Sequence, residues 1–478
     1  MPDWIAFRCS NLTVMSHCLL LGLVCTAGTV APAGADDFPK LFNSEKGSTQ
    51  SWLSARDAAE GFSVPEGFRV SAFAAEPDVM NPIAASWDSR GRLWVAENFT
   101  YAERATHFQM DLRDRIVVFD GTSQDKHTGR TVFTDELQML TSIAVGHGGV
   151  WAMCPPQLLF IPDADGNMVP DGPAQVVVDG FKVADANYHN YANGLRFGPD
   201  GWLYGRCGGS CPGRIGLPGT APKQRLALEG GMWRYHPRRK TLDVLTHGTT
   251  NPWGHDWNSK GDLFFCNTVN GHLWHAIPGA HFARPFTLDP NGKTYELIDF
   301  HADHWHFDTS GSWTKSRDGA ANKFGGGHAH SGVMIYQGGH WPSQYDDKLF
   351  TLNFHGRRAN VERLQRHGSG YVAKHEDDFL LAADPWFRGM DLTSGPDGNV
   401  FVLDWSDTGE CHEHDGVHRE SGRIYKVIYE GNDQKSRSVN AAPTATLTME
   451  SLRTTGEFSD EMILAAIQHP NVWYFRRA

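Results

Sequence analysis

Six short segments of this chain repeat one pattern: a turn, usually containing Gly, followed by a short apolar and aromatic strand. They are DSRGRLWVAEN (88–98), GHGGVWAMC (146–154), GPDGWLYGR (198–206), NSKGDLFFC (258–266), YDDKLFTLN (345–353) and GPDGNVFVLDW (395–405). With Leu93, Val150, Leu203, Leu263, Leu349 and Val400 as markers, the spacings are 57, 53, 60, 86 and 51 residues. Six near-equal strand units predict an all-β chain folded as a six-bladed β-propeller. A two-sheet sandwich would not return its strands as one motif at this period. The 51 Gly and 16 Trp suit short strands joined by tight turns better than helices.

The long spacing of 86 residues marks an insertion near 291–327, which includes HADHWHFDTSGSWTKSRDGAANKFGGG. Ordered loops of this length commonly carry function. The propeller is expected over 64–430, closed by Ile424–Val427 or by the segment before Asn81. A polar leader at 36–63 precedes it, and a linker at 431–444 follows. Residues 445–478 read as a short helical segment, with Ser459 as a cap, and as the start of a HEAT-like array. Lacking a neighbouring repeat, that pair of helices is expected to be marginally stable.

The apolar run Cys18–Cys25 and the small residues Ala33-Gly34-Ala35 predict an export signal over 1–35, cleaved before Asp36. The run is too short to span a bilayer, so a periplasmic or cell-surface protein without a transmembrane span is expected. Of the cysteines left after cleavage, Cys207 and Cys211 stand close enough to close a small disulfide loop in an oxidising compartment. No C-x-x-C-H occurs, so no c-type haem is expected in this chain. The net charge of -12 argues against nucleic acid as a partner.

Four segments carry the candidate chemistry. His189 stands just before the strand Gly194–Phe197, whose turn is Gly198-Pro199-Asp200-Gly201. Asn251-Pro252 leads into the fourth unit. Arg388 holds, before the last unit, the place that His189 holds before its own, and Arg357-Arg358 follow the fifth strand. Together these motifs resemble the glucose/sorbosone dehydrogenase family. Residues from about Val64 to Gly431 are more similar still to the planctomycete-type "membrane-bound dehydrogenase" propellers, here without their C-x-x-C-H module. The resemblance implies a six-bladed propeller that oxidises a sugar or related alcohol with pyrroloquinoline quinone (PQQ), passing electrons to a cytochrome. It implies His189 as catalytic base, with Asn251, Arg388 and either Arg357 or Arg358 contacting the quinone. The calcium loop it implies after the fourth unit falls on Cys266–Gly271, which has no carboxylate, so calcium is not expected there.

The residues support these roles. A hydroxyl losing hydride needs a base, which an imidazole suits near neutral pH. Fixed guanidinium groups stabilise the oxygens of a reduced quinone. A second chemistry is offered by the i, i+2 pairs His304/His306, His328/His330 and His412/His414, which on a strand project from one face and can hold a transition metal. Two other classes remain open. One is a non-catalytic propeller that binds glycans or proteins. The other is a metal-dependent propeller hydrolase or lactonase using residues such as Glu97, Asp404 and His330.

Overall fold

A computed structural model describes residues 38–45, 51–269, 271–283, 294–317, 319–409, 416–431 and 459–477. From Pro39 onward the chain forms one compact unit. Six antiparallel sheets account for its blades. Their innermost strands are Pro82–Trp87, Ser142–Val145, Asn193–Phe197, Pro252–Trp257, His330–Ile335 and Gly389–Ser394. Each is followed by a repeat strand that the sequence marks: Leu93–Glu97, Gly149–Cys154, Leu203–Cys207, Leu263–Asn267, Lys348–Asn353 and Val400–Asp404. The propeller expected from the repeat is the propeller observed.

The turns explain the register. In Gly198–Gly201 and Gly395–Gly398 the last N–H donates to the first carbonyl, at 3.1 and 3.0 Å. Gly201 and Gly398 take φ of 76° and 77°, where a side chain is disfavoured. Asp200 and Asp397 then accept the N–H two residues on. Aromatic side chains fill the seams between blades, as where Trp87 meets Phe401 and Tyr204 meets Trp257 with ring centroids 5.1 and 5.0 Å apart.

The ring closes by both of the routes expected. Phe68–Ala75, from the start of the chain, pairs with Arg423–Tyr429 and forms the outer strand of the sixth blade. The expected leader is also part of the fold. Ser54 caps the helix Ala55–Glu60, and Phe62–Ser63 pair with Ala382 and Leu381 at the edge of the fifth blade.

Two features at the far end of the channel, where the turns lie, bear on the site. Arg196 reaches across the axis and donates to the carbonyls of His255 and Val333, at 3.0 and 3.3 Å. Arg206, buried, meets Asn193 Oδ1 and His255 Nδ1, both at 3.0 Å. Gly194, with φ of 70°, makes room for that guanidinium; a Cβ there would lie 1.9 Å from Arg206 Nη2. The helices Asp460–Ile467 and Val472–Arg477 pack onto this end. Ser459 caps the first, as expected. Asn471 Nδ2 donates to the carbonyls of Gly395 and Pro396, Trp473 and Tyr474 are buried in the core, and Arg476 pairs with Asp256 at 2.8 Å. The helices expected to lack a neighbour thus find one in the propeller itself.

The CGGSC segment differs from expectation. Cys207 and Cys211 are both buried free thiols. Cys207 Sγ donates to the Cys211 carbonyl and Cys211 Sγ faces the carbonyls of Asn187 and Tyr188, so the two sulfurs serve the main chain rather than each other. No helix among the described residues is long and apolar enough to cross a membrane.

Candidate functional site

The innermost strands all run the same way, and the segments leading into three of them line one recess at the propeller axis. It encloses about 680 Å³ of space, counting its open mouth. His189, Asn251 and Arg388 all line it. Its walls are otherwise mostly apolar and aromatic, chiefly Tyr101, Tyr191, Trp253, Phe354, Met390 and Trp405.

His189 sits in a single 3-10 turn, Tyr188–Asn190, entered through Asn187 in the left-handed region. Two bonds fix that turn. The Asn190 carbonyl accepts from Gly208 N–H at 2.8 Å, and the Tyr188 hydroxyl donates to the Ala102 carbonyl at 2.6 Å. The imidazole is buried at the pocket wall. Asn251 is held through its main chain, its N–H donating to Asn267 Oδ1 and its carbonyl accepting from Thr268. Its own Oδ1 is buried and accepts no hydrogen bond among the described residues. A buried acceptor without a donor is costly, so this atom is open to a hydrogen-bond donor from within the recess.

Arg388 has a different occupation from the one expected. Its Nε donates to the Gly409 carbonyl, Nη1 to those of Pro385 and Phe387, and Nη2 to that of Thr408, all at 2.8–2.9 Å. Four of its five N–H groups therefore hold two loops together. Its main-chain N–H donates to Asp404 Oδ1 at 2.7 Å, which also accepts from Ser406 N–H. Burial pushes the Asp404 carboxyl up to about 7. Burial also raises Asp407, which lines the pocket and accepts from the N–H groups of Gly409 and His418.

The expected quinone contacts Arg357 and Arg358 do not line this recess. Arg358 is buried against Asp378, at 2.7 Å, and Asn322, at 2.6 Å, and that ion pair draws it away from the axis. Arg357 occupies a left-handed turn position, φ 50°, and its carbonyl accepts from Ala382. The residues considered for a hydrolase are not assembled either. Glu97 is committed to Met80 N–H and Arg115, and Asp404 holds Arg388.

A second cluster lies between the fourth and fifth blades. His304 and His306, from the insertion, meet His272 and Glu362 with one potential ligand atom of each within 4.8 Å of all the others. His330 is a neighbour rather than a member, its Nε2 lying 2.9 Å from His306 Nδ1. His328 belongs elsewhere. It bonds Ser316 Oγ at 2.8 Å and packs against Trp313 and His355. The pair His412/His414 lies outside the described residues. His272 and Glu362 carry no i, i+2 histidine pattern, so spacing alone misses them. The one signal is the alternation Arg358-Asn360-Glu362, a strand face that is polar yet buried throughout.

A six-bladed propeller with a recess at its axis is the class that the fold and this site define. The chain belongs to the family described as a domain of unknown function, DUF7133, whose sequence model matches residues 54–431. No curated protein matches the chain. Among solved structures, it is similar to an oxidoreductase of the glucose dehydrogenase kind from Thermus thermophilus, with 18% identity and a TM-score of 0.50, covering 76% of this chain and 100% of that one. It is also similar to the PQQ-bound aldose sugar dehydrogenase of Streptomyces coelicolor, with 16% identity, a TM-score of 0.48 and coverage of 76% and 99%. The apo-form of the soluble aldose sugar dehydrogenase of Escherichia coli gives 15%, 0.48 and the same coverage. The likeness to the first of these, at 18% identity, supports the fold alone.

Proposed function

We propose that the chain acts on a sugar or related alcohol in the axial recess, as a dehydrogenase, with His189 as the base that takes the hydroxyl proton. The convergence of His189 and the undonated Asn251 Oδ1 in an aromatic-walled pocket carries this reading. Aromatic faces suit the apolar faces of a sugar ring, and Asn251 Oδ1 suits one of its hydroxyls. His189, held by its 3-10 turn, stands where a neutral imidazole could accept a proton from a neighbouring hydroxyl.

PQQ, the group associated with this fold, was tested against the residues present. Bound PQQ would supply the acceptor for hydride. Its three carboxylates call for several cations, and Arg388 is the one Lys or Arg lining the recess among the described residues. Four of its N–H groups are committed to main-chain carbonyls, and the carboxyl of Asp407 stands beside it. The residues do not fit a tightly held tricarboxylate. No step is routed through it; the reading covers the bound sugar and the proton that His189 takes, and the two electrons would pass to an exchangeable quinone or dye supplied from outside the chain. A sugar-binding propeller without oxidation is the second reading, and the commitment of Arg388 favours it.

Calorimetric titration of the purified protein with sugars, and with PQQ with and without calcium, separates these readings when joined to dye-coupled oxidation. Sugar binding is expected in the wild type and in His189→Ala. Oxidation, where present, is expected to fall about 10²–10⁴-fold in the variant, the usual worth of a general base. Equal oxidation by both proteins removes His189 from the role, and sugar binding without oxidation selects the second reading. Tight PQQ binding would overturn the misfit. Export is proposed with cleavage before Asp36, and N-terminal sequencing of the secreted fraction tests it.

A further inference from the structure

The cluster between the fourth and fifth blades has a geometry that hydrogen bonds alone do not explain. His304 Nε2 lies 3.0 Å from His306 Nε2 and 3.1 Å from Glu362 Oε1. His306 Nε2 lies 3.2 Å, and His272 Nε2 3.6 Å, from the same carboxylate oxygen. Four of the six separations among these three imidazole nitrogens and one oxygen are thus 3.0–3.6 Å, and all lie within 4.8 Å. Four ligands about 2.0–2.1 Å from a tetrahedral ion would stand about 3.4 Å from one another, the spacing seen here.

The second nitrogen of each inserted histidine indicates its protonation. Asn360 Nδ2 donates to the Gly325 carbonyl and to Asp378 Oδ1, at 2.9 and 2.7 Å. Its Oδ1 must therefore be the atom facing His306 Nδ1 at 3.0 Å, and that nitrogen carries the hydrogen. His304 Nδ1 faces Asp303 Oδ1 at 3.2 Å and is likewise the donor. In the neutral rings both Nε2 atoms then present lone pairs to each other and to the Glu362 carboxylate. Such an arrangement repels unless a cation lies among the atoms. His272 Nε2 adds an independent observation: it is buried, points into the cluster and has no hydrogen-bond partner among the described residues. Asp303 and Asn360 supply the outer acceptors that metal-bound imidazoles require. His375, paired with Glu362 across the sheet, puts Nδ1 3.4 Å from the same Oε1 on the more solvent-exposed side.

We propose that His272 Nε2, His304 Nε2, His306 Nε2 and Glu362 Oε1 bind a single divalent first-row transition ion of the zinc class. Three imidazoles with one carboxylate favour such an ion over calcium or magnesium, which prefer oxygen. The four ligands come from a hairpin of the fourth blade, from the insertion and from an outer strand of the fifth blade. The ion therefore pins the insertion to the propeller wall. This site is separate from the axial recess, so it stands whether or not a sugar is oxidised there.

The test uses the purified full chain. Elemental analysis after growth with added zinc, and titration of chelator-treated protein with Co²⁺, are expected to give one ion per chain, with the visible absorption of four-coordinate cobalt. His306→Ala and His272→Ala are expected to lose the ion, and Glu362→Gln to bind it at least tenfold more weakly. His375→Ala is expected to retain it. Chelation of the wild type is expected to lower the melting temperature and to open the insertion to proteolysis. This last arm needs no substitution, so a variant that fails to fold does not obscure the result. Wild-type protein that takes up neither zinc nor cobalt overturns the proposal. So does metal uptake that survives the loss of both His272 and His306.

Discussion

The buried carboxyl of Asp404 makes a sharp test of how this site is held. Its Oδ1 accepts the N–H groups of Arg388 and Ser406, while its Oδ2 is buried with no partner among the described residues. Burial pushes its pKa from 3.8 to about 7, against the pull of those N–H groups and of Arg423. In the unfolded chain the group ionises near 3.8, and in the folded chain near 7. Below the lower value both states carry the proton and the stabilising contribution is complete. Between the two values only the folded state holds it, so stability falls as pH rises, and above the upper value the loss is finished. At about 1.4 kcal/mol per tenfold change in proton affinity, the gap amounts to about 4 kcal/mol as an upper bound. Asp404→Asn keeps an oxygen for the two N–H groups and stays neutral throughout. It costs a pH-independent amount of roughly 1–3 kcal/mol for a buried, unpaired amide. Chemical denaturation of both proteins at several pH values from about 5 to 8 is the assay. Relative to the variant, the wild type is expected to lose about 1 kcal/mol per pH unit up to about pH 7 and then level off. Parallel curves would refute the argument, and with it the picture of a neutral Asp404 beneath Arg388.

Other substitutions probe the frame. Arg388→Ala and Arg388→Lys should both destabilise the protein by roughly 2–4 kcal/mol in denaturation, because no lysine can serve four carbonyls in two loops. Gly194→Ala should destabilise the protein by roughly 1–3 kcal/mol and displace the Arg206 guanidinium, since its Cβ would meet that group at a positive φ; a wild-type melting curve would contradict this. Trp473→Ala should cost about 3–5 kcal/mol in docking the terminal helices, read as faster proteolysis after Gly431 with the propeller left intact.

The blades are legible in the sequence because each depends on local chemistry. A Gly–Pro–Asp–Gly turn and the strand after it specify one hairpin wherever they occur. His189, Asn251 and Arg388 are legible for a related reason: each stands just ahead of an innermost strand, and all six of those strands begin at one end of the ring. What Arg388 does there is not legible, because its partners are carbonyls at Pro385, Phe387, Thr408 and Gly409, which any residue could offer. Arg358 is drawn to Asp378, 20 residues on, by a pairing across two strands. His272 and Glu362 meet the insertion only because two blades abut, and no spacing along the chain encodes that meeting. The fate of Cys207 and Cys211 turns on which way two thiols point in a short loop.

The arginines below the recess have a kinetic consequence. Arg196 spans the axis, Arg206 closes on His255, and Arg476 from the terminal helix anchors on Asp256. Among the described residues, these contacts cross the axis below the recess and narrow it at that end. Where the recess turns over the sugar proposed for it, a product held against this narrowed end is expected to inhibit competitively with substrate.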